Sequence, residues 1–382
     1  MESKKVNLQK SIKLGIILVC ISITGCKAYE QSQTSQDSRK VETESNKTEQ
    51  QRKEVQESDG GNDMIIPTDE VRELESGLWT VQHTGDYGFQ EFLDQGGASS
   101  DQEVIRFLSE NQFSQLSGMK YSESAFGCST ISVKGSEGDF WFGRNFDWEH
   151  SNAWIVLSKP ENGYHSISTV NMDFIGAGGI RTGEFPQKAL VTAALYAPLD
   201  GMNDQGLCVS VNMIQDSAKI DQNTSKPDLT TTTAIRLLLN QAANVEEALS
   251  LLEQYDIHGS MGMMVHFALA DTQGRSVVVE YIDQEMVVMD TPAVTNFYLT
   301  SGKKNGVGTA QSHTRYEILM EWLENQSLVN MEAVRDVLDS VSKDNFGEFE
   351  STEWSIVFNQ NRGEAYYYHR ENYEQVYSFS IR

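Results

Sequence analysis

Four cysteines occur in 382 residues, and two of them fall in the N-terminal leader described below. Cys128 and Cys208 alone are left for the globular part, too few for a disulfide framework. Cations are scarce as well, with 30 Lys and Arg against 55 Asp and Glu. That balance argues against a nucleic-acid partner and against docking on anionic lipid by surface charge. Seven histidines are present, at positions 83, 150, 165, 258, 266, 313 and 369. None has Cys-rich or His-x-x-x-His metal spacing, so no metal site is expected. No internal repeat is visible. Only one sizeable apolar run occurs, near the N-terminus, and it is too short for a transmembrane helix.

That run belongs to a secretory signal. Lys4, Lys5, Lys10 and Lys13 form a basic region, Leu14 to Ile23 an apolar one, and Ile23-Thr24-Gly25-Cys26 closes it. The tetrapeptide resembles a bacterial lipobox, which implies cleavage before Cys26 and lipidation of that cysteine. Residues 1–25 are read as a lipoprotein signal peptide. The expected location is the extracytoplasmic face of the cell membrane, with a membrane anchor at the N-terminus. Residues 26–67 are rich in Glu, Gln, Ser, Lys and Thr and cannot bury a core, so they read as a disordered tether. Forty such residues span roughly 35 Å.

Residues 68–127 read as a distinct small unit, with Ser100-Asp101-Gln102-Glu103 starting a helix that carries Val104, Phe107 and Leu108 on one face. From Cys128 on, strands dominate around a helical block. Thr232 to Gln241 and a helix capped by Asn244 form that block. Met263 to Ala270 and Ser276 to Tyr281 read as strands joined by the Asp271-Thr272-Gln273-Gly274 turn. Thr314 to Glu324 and Met331 to Ser342 read as helices, and Ser355 to Asn359 and Ala365 to Tyr368 as a hairpin. The pattern describes a layered α+β domain over 128–382. Cys208, inside Leu207-Cys208-Val209-Ser210-Val211, reads as a buried strand residue.

The chemistry concentrates on one hairpin. Ser129 to Val133 and Phe140 to Asn145 are β-prone, and Gly135-Ser136-Glu137-Gly138-Asp139 supplies the turn. A turn centred near residue 137 sets Cys128 across from about residue 145. Arg144 and Asp147 then fall within reach of the thiol, on the order of 5–8 Å between Cβ atoms. A thiol needs a base to become a nucleophile. No histidine lies in a recognisable Cys-protease context, and His258 and His266 read as structural. Cutting the Gly127–Cys128 bond would provide another base, the α-amino group of Cys128, with a reference pKa of about 8. Asp147 could hold that amine and Arg144 could stabilise the thiolate. Gly127 places little steric demand before a scissile bond.

Cys128, its hairpin and Gly143-Arg144-Asn145-Phe146-Asp147 resemble the start of the linear amide C–N hydrolases of the choloylglycine hydrolase and penicillin V acylase family. The family spacings of 16 and 19 from Cys to Arg and Asp are kept, since Arg144 and Asp147 lie that far beyond Cys128. Asp200-Gly201-Met202-Asn203-Asp204-Gln205-Gly206-Leu207 with Asn212, then Val294-Thr295-Asn296, then Ser312-His313-Thr314-Arg315-Tyr316 resemble further family segments, in order. The resemblance implies a four-layer αββα N-terminal-nucleophile fold and no cofactor. It implies Cys128 as nucleophile, with its α-amino group as base. It implies Asp147 orienting that amine, Arg144 supporting the thiolate, Asn212 and Asn296 stabilising the oxyanion, and Arg315 beside the nucleophile. One oxyanion donor is worth about 3–4 kcal/mol elsewhere. The partner it implies is a small linear amide: a conjugated bile salt, a penicillin V-like phenoxyacyl amide or a fatty N-acyl amide. Phe140, Trp141, Trp148 and Tyr196 are candidates to line an apolar acyl pocket.

Three departures stand out. A folded-looking segment precedes Cys128, as in acid ceramidase-type and isopenicillin N acyltransferase-like relatives, so residues 68–127 are expected to become an N-terminal fragment through autoproteolysis. Arg315 follows Asn296 by only 19 positions, where bile salt hydrolases carry a hairpin that helps build a tetramer. Asn296 is followed by Phe297-Tyr298-Leu299 and not by Ser-Pro, which changes the pocket wall. Three rival readings stand beside the amidase. Acyl transfer to an amine would use the same thioester. A solute-binding lipoprotein would have an inert, buried Cys128. A papain-like peptidase would need a histidine at the thiol.

Overall fold

The computed structural model describes residues 64–119, 127–176, 185–344 and 350–382. The signal peptide, Cys26 and nearly all of the tether expected from the sequence lie outside the described residues. In chain order the strands are β1 (Arg72–Glu75), β2 (Leu78–Thr84), β3 (Gly127–Lys134), β4 (Phe140–Trp148), β5 (Ala153–Lys159), β6 (Ser166–Asn171), β7 (Asp200–Asn203), β8 (Cys208–Ile214) and β9 (Asp228–Thr230). They continue with β10 (Asp256–His258), β11 (Met264–Ala270), β12 (Ser276–Ile282), β13 (Glu285–Asp290), β14 (Ala293–Val294), β15 (Ser351–Asn359), β16 (Glu364–His369) and β17 (Tyr377–Ser380). The helices are α1 (Phe89–Asp94), α2 (Asp101–Asn111), α3 (Gln187–Leu195), α4 (Thr231–Gln241), α5 (Val245–Leu252), α6 (Ala310–Asn325) and α7 (Met331–Ser340).

Two large sheets face each other. One runs β1-β2-β5-β6-β7-β8-β11-β12-β13 and the other β14-β3-β4-β15-β16-β17. Helices α3 and α4 pack on the first, and α6 and α7 on the second, giving the four-layer αββα arrangement expected. Strand alternation builds the layers. In β3, Cys128 points into the core between the sheets, whereas Ile131 points to the helix side with Leu319, Val334 and Leu338. A Cβ on Gly143, in β4, would sit 2.9 Å from Val334 Cγ1 and 3.0 Å from Ile131 Cγ2, so its lack of a side chain lets α7 close on the sheet.

Helix ends follow the sequence signals. Ser100 caps α2 by accepting from the Glu103 N–H, Asn244 caps α5 and Asn330 caps α7. Helix α6 begins at Ala310, four residues earlier than the expected Thr314, because Thr309 caps it by accepting from the Ser312 N–H.

The segment before Cys128 does not stand apart as the distinct unit expected. Strand β2 joins the nine-stranded sheet through a parallel ladder with β5, from Leu78 opposite Ala153 to Thr84 opposite Lys159. Ile65 N–H donates to the Ser378 carbonyl at 2.7 Å, so the same segment also touches the edge of the six-stranded sheet. Phe92 packs its ring 5.5 Å from Tyr196 and 5.2 Å from Phe107. The reason is burial: Leu78, Val81, Phe89 and Phe92 find their apolar partners only in the shared core.

Candidate active site

The β3–β4 hairpin forms with Cys128 opposite Phe146, one residue beyond the expected register. A shift of one residue decides which face each side chain takes. Thr130 lies opposite Arg144, so Arg144 shares the Cys128 face. Its Nη2 donates to Cys128 Sγ at 3.3 Å and to the Val211 carbonyl at 2.8 Å. Its Nη1 reaches Asp200 Oδ2 at 2.5 Å and the Leu199 carbonyl at 2.6 Å. Asp200 also accepts from Trp354 Nε1 at 3.1 Å, and the Trp354 ring stacks on Phe146 at 3.9 Å. Asp200 opens the motif read from the sequence, which carries no hint that its partner is Arg144.

Asp147 lies opposite Gly127, on the other face. Its side chain turns to Arg315 and Lys343, and its charge still acts on the Cys128 thiol. Arg315 makes the join. Its Nη1 donates to Asp147 Oδ2 at 2.5 Å, and its Nη2 donates to the Cys128 carbonyl at 2.7 Å and to Asn296 Oδ1 at 2.8 Å. Asn296 Oδ1 in turn accepts from the Cys128 N–H at 2.9 Å. Two guanidinium groups thus flank the cysteine, Arg144 at its sulfur and Arg315 at its backbone.

Each prospective oxyanion donor also holds a backbone carbonyl through one of the two N–H groups of its amide. Asn296 Nδ2 donates to the Met213 carbonyl at 2.7 Å, and Asn212 Nδ2 to the Val294 carbonyl at 3.3 Å. Both residues are buried close to the Cys128 strand.

Burial sets the electrostatics. The Cys128 thiol is fully enclosed, and desolvation pushes its pKa up to about 11 even though Arg144 pulls the other way. Burial also raises the Asp147 carboxyl, but the Arg315 and Lys343 charges and a hydrogen bond from Thr352 Oγ1, at 2.8 Å, outweigh it and hold the group below its ordinary value. A cavity of about 200 Å³ lies beside this network, lined by Gly127, Met213, Asn296, Ser312, Arg315 and Lys343 among others.

The sequence missed the supports. Ser312 Oγ accepts from the Asn296 N–H at 2.6 Å, and Thr352 and Lys343 bind Asp147. His266 braces the same segment: Nε2 meets the Thr295 carbonyl at 2.7 Å and Nδ1 meets Glu280 Oε1 at 3.1 Å. Ser312 lay inside a motif already read, whereas Thr352, Lys343 and Glu280 had no local signal. Two further histidines are engaged elsewhere. His258 lies between Asp221 and Asp228, and His313 stacks on Phe297 at 4.0 Å. Among the described residues no histidine bonds the Cys128 thiol, so the papain-like reading lacks its base.

The proposed aromatic acyl pocket does not assemble. Tyr196 is buried among Tyr87, Phe89, Phe92 and Phe107. Trp141 packs in the helix-side cluster, Trp148 sits edge-on to Phe174, and Phe140 lines a groove with Gly274 and Pro292. Alternation turns Trp141 to the face of β4 opposite Phe140 and Trp148, those two sit at opposite ends of the strand, and Tyr196 follows α3. Cys208 is a free, buried residue of β8.

Residues 128–297 match the family model of linear amide C–N hydrolases, choloylglycine hydrolase family. This is the family that the motifs around Cys128 and Arg144 resemble. Penicillin V acylase from Pectobacterium atrosepticum is 29% identical over 162 residues, 38% of this chain and 41% of that protein. The chain thus spans well under half the length of that relative. Among solved structures, conjugated bile acid hydrolase from Clostridium perfringens superposes with TM-score 0.51 in two variant forms, at 17% and 15% identity. Each superposition covers 66% of this chain and 92% of the other. That likeness is one of fold.

Proposed function

We propose that this chain, with its choloylglycine hydrolase family segment at residues 128–297, hydrolyses a linear, non-peptide amide through a thioester on Cys128. The observation that carries the reading is the double clamp on one residue: Arg144 at the Cys128 sulfur and the Arg315–Asp147–Asn296 network at its backbone. A cysteine serving only as packing has no use for two buried guanidinium groups, because each costs several kcal/mol to desolvate.

Activation begins with a cut between Gly127 and Cys128. Cys128 Sγ adds to the Gly127 carbonyl carbon, the C–N bond breaks, and the nitrogen takes up the thiol proton. Water then cleaves the resulting thioester, leaving a Gly127 carboxylate, the Cys128 thiol and a new α-amino group. In the uncut chain the thiol is neutral at ordinary pH, its pKa raised to about 11 by burial. The freed amine, with a reference pKa of about 8, supplies the missing base. Asp147 orients it and Arg144 supports the thiolate.

Turnover repeats this chemistry on substrate. Cys128 Sγ attacks the amide carbonyl, and Asn212 and Asn296 donate to the oxyanion through the second N–H of each Nδ2. The amine departs with a proton from the Cys128 ammonium, and water releases the acid. Substrate classes consistent with the relatives' names are penicillin V-like amides and conjugated bile acids; fatty N-acyl amides share the same chemistry. Residues 68–127 remain as the N-terminal fragment. Export and lipidation at Cys26 belong to the same proposal and rest on the signal-like residues 1–25.

Intact mass and N-terminal sequencing of the wild type beside Cys128→Ala test the reading. A fragment beginning at Cys128, absent from the variant, supports it. Amidase activity in a chain with Gly127 still joined to Cys128 would overturn it.

A further inference from the structure

Gly127 sits between opposite charges. A Cβ built on it would lie 2.7 Å from Lys343 Nζ and 2.8 Å from Asp147 Oδ2. Lys343 is almost fully buried, its side chain 5% exposed, and its Nζ lies 3.6 Å from Asp147 Oδ2 while bonding Glu350 more closely. Its backbone is pinned to the end of β15: Lys343 N–H donates to Thr352 Oγ1 at 2.8 Å, and Thr352 N–H donates to the Lys343 carbonyl at 2.9 Å. The same Thr352 hydroxyl donates to Asp147 Oδ1. A buried ammonium is therefore held against the residue whose bond the proposed cut would break.

Cutting creates two charges in this enclosed place, a carboxylate on Gly127 and an ammonium on Cys128. The ammonium has acceptors at hand, since Cys128 N already donates to Asn296 Oδ1 and Asp147 lies opposite the adjoining Gly127 in the ladder. Arg315 already holds Asp147, the Cys128 carbonyl and Asn296 through its Nη atoms, and its buried Nε alone is without a partner. Arg144 is committed on the other face, to Asp200 and the thiol. Lys343 Nζ is the cation that lies nearest Gly127, 2.7 Å from where its Cβ would be. A lysine ammonium is a point charge on a flexible stem with three donors, suited to changing partners.

We infer that Lys343 is a processing residue: it receives the carboxylate that cutting creates on Gly127, while the new Cys128 ammonium takes its place beside Asp147. The exchange is charge-neutral. Before the cut Arg315 and Lys343 balance Asp147 and Glu350, and the cut adds one carboxylate and one ammonium. The inference rests on the self-cleavage proposed above and adds a residue that the match over residues 128–297 does not reach.

The test follows cutting of the full chain by intact mass during cell-free synthesis, in the wild type, Lys343→Met, Lys343→Arg and Cys128→Ala. Lys343→Met should slow conversion at least about ten-fold, because the new carboxylate is then buried without a partner. Lys343→Arg, which keeps the charge, should stay within about three-fold of the wild type. Melting temperatures of both substitutions in the Cys128→Ala background, where nothing is cut, separate a processing effect from a folding effect. Slow cutting by Lys343→Met with recovery in Lys343→Arg, at similar melting temperatures, is the expected result. A wild type that cuts beside an equally fast Lys343→Met sinks the role of Lys343 alone, as does an arginine variant as slow as the methionine one. An uncut wild type sinks the self-cleavage reading, and this role with it.

Discussion

The Arg144 guanidinium joins the Cys128 thiol, 3.3 Å from its Nη2, to the Asp200 carboxylate, 2.5 Å from its Nη1, and none of the three residues is exposed. A buried pair of this kind is costly to break on one side, because the abandoned partner keeps its charge without water. Arg144→Met leaves Asp200 with Trp354 Nε1 as a remaining donor. Denaturant unfolding in the Cys128→Ala background should show a loss of about 3–5 kcal/mol. Adding Asp200→Asn should return part of it, since the stranded charge is gone. A loss below about 1 kcal/mol for Arg144→Met would mean that the pair is not fully desolvated.

Gly127 supports a second prediction. An added methyl would come within 2.7 Å of Lys343 Nζ and 2.8 Å of Asp147 Oδ2, both tighter than real contacts allow. Lys343 and Asp147 must move, and with them the charges around the scissile bond. Gly127→Ala should therefore slow cutting by at least about ten-fold, since small misplacements at a reacting centre cost about two orders of magnitude. Mass spectrometry over time reads this directly, and cutting at the wild-type rate would contradict it.

The hairpin was legible because its turn is short and glycine-rich. Gly138 takes φ 95°, a conformation that glycine adopts without strain, and Lys134 opposite Phe140 puts the centre at residue 137. The one-residue difference in register, 146 and not 145 opposite Cys128, is small in distance but moves Asp147 to the other face. Caps such as Ser100, Asn244 and Asn330 were legible for the same local reason. The supports of the site were not. Thr352 and Lys343 meet Asp147 across some two hundred residues, and no spacing rule reaches that far. The parallel pairing of β2 with β5 was equally hidden, since neither strand signals a partner seventy-five positions away.

That pairing makes a prediction about the cut protein. Residues 64–119 hold to the rest through the β2–β5 ladder, through Ala98 N–H to the Asp228 carbonyl at 2.9 Å, and through Phe92 against Tyr196. The two fragments should elute together without denaturant. Phe92 is fully buried, so Phe92→Ala should cost about 3–5 kcal/mol. In the uncut Cys128→Ala chain that loss appears as an earlier unfolding transition. In the cut protein it should appear as release of the N-terminal fragment on size exclusion at lower urea. Spontaneous release from the wild type would overturn the claim that these contacts bind the fragment.

Asp101 ties the same segment to the loop around Met261 and makes the attachment pH-dependent. Asp101 Oδ2 accepts from the Met261 N–H at 2.7 Å, and the Ser260 hydroxyl also favours its carboxylate. Desolvation lifts its pKa from the ordinary 3.8 to about 6, against the pull of the Met261 N–H. Lys219, Asp221 and His258 line the same small groove. A folded-state pKa above the unfolded one means that the folded protein binds the extra proton. The stabilisation is therefore complete below about pH 4 and is lost as pH rises through about 6. The shift corresponds to about 3 kcal/mol, and the start of α2 favours the carboxylate by up to about 1, leaving on the order of 2 kcal/mol. Asp101→Asn keeps the acceptor for Met261 and removes the ionisation. Its unfolding free energy should lose this component of the pH slope between 4 and 7 and exceed that of the parent at pH 7 by about 2 kcal/mol. Urea unfolding of both chains at pH 4.5 and 7, in the Cys128→Ala background, measures this. Equal slopes in the two would show that Asp101 titrates as it does in the unfolded chain.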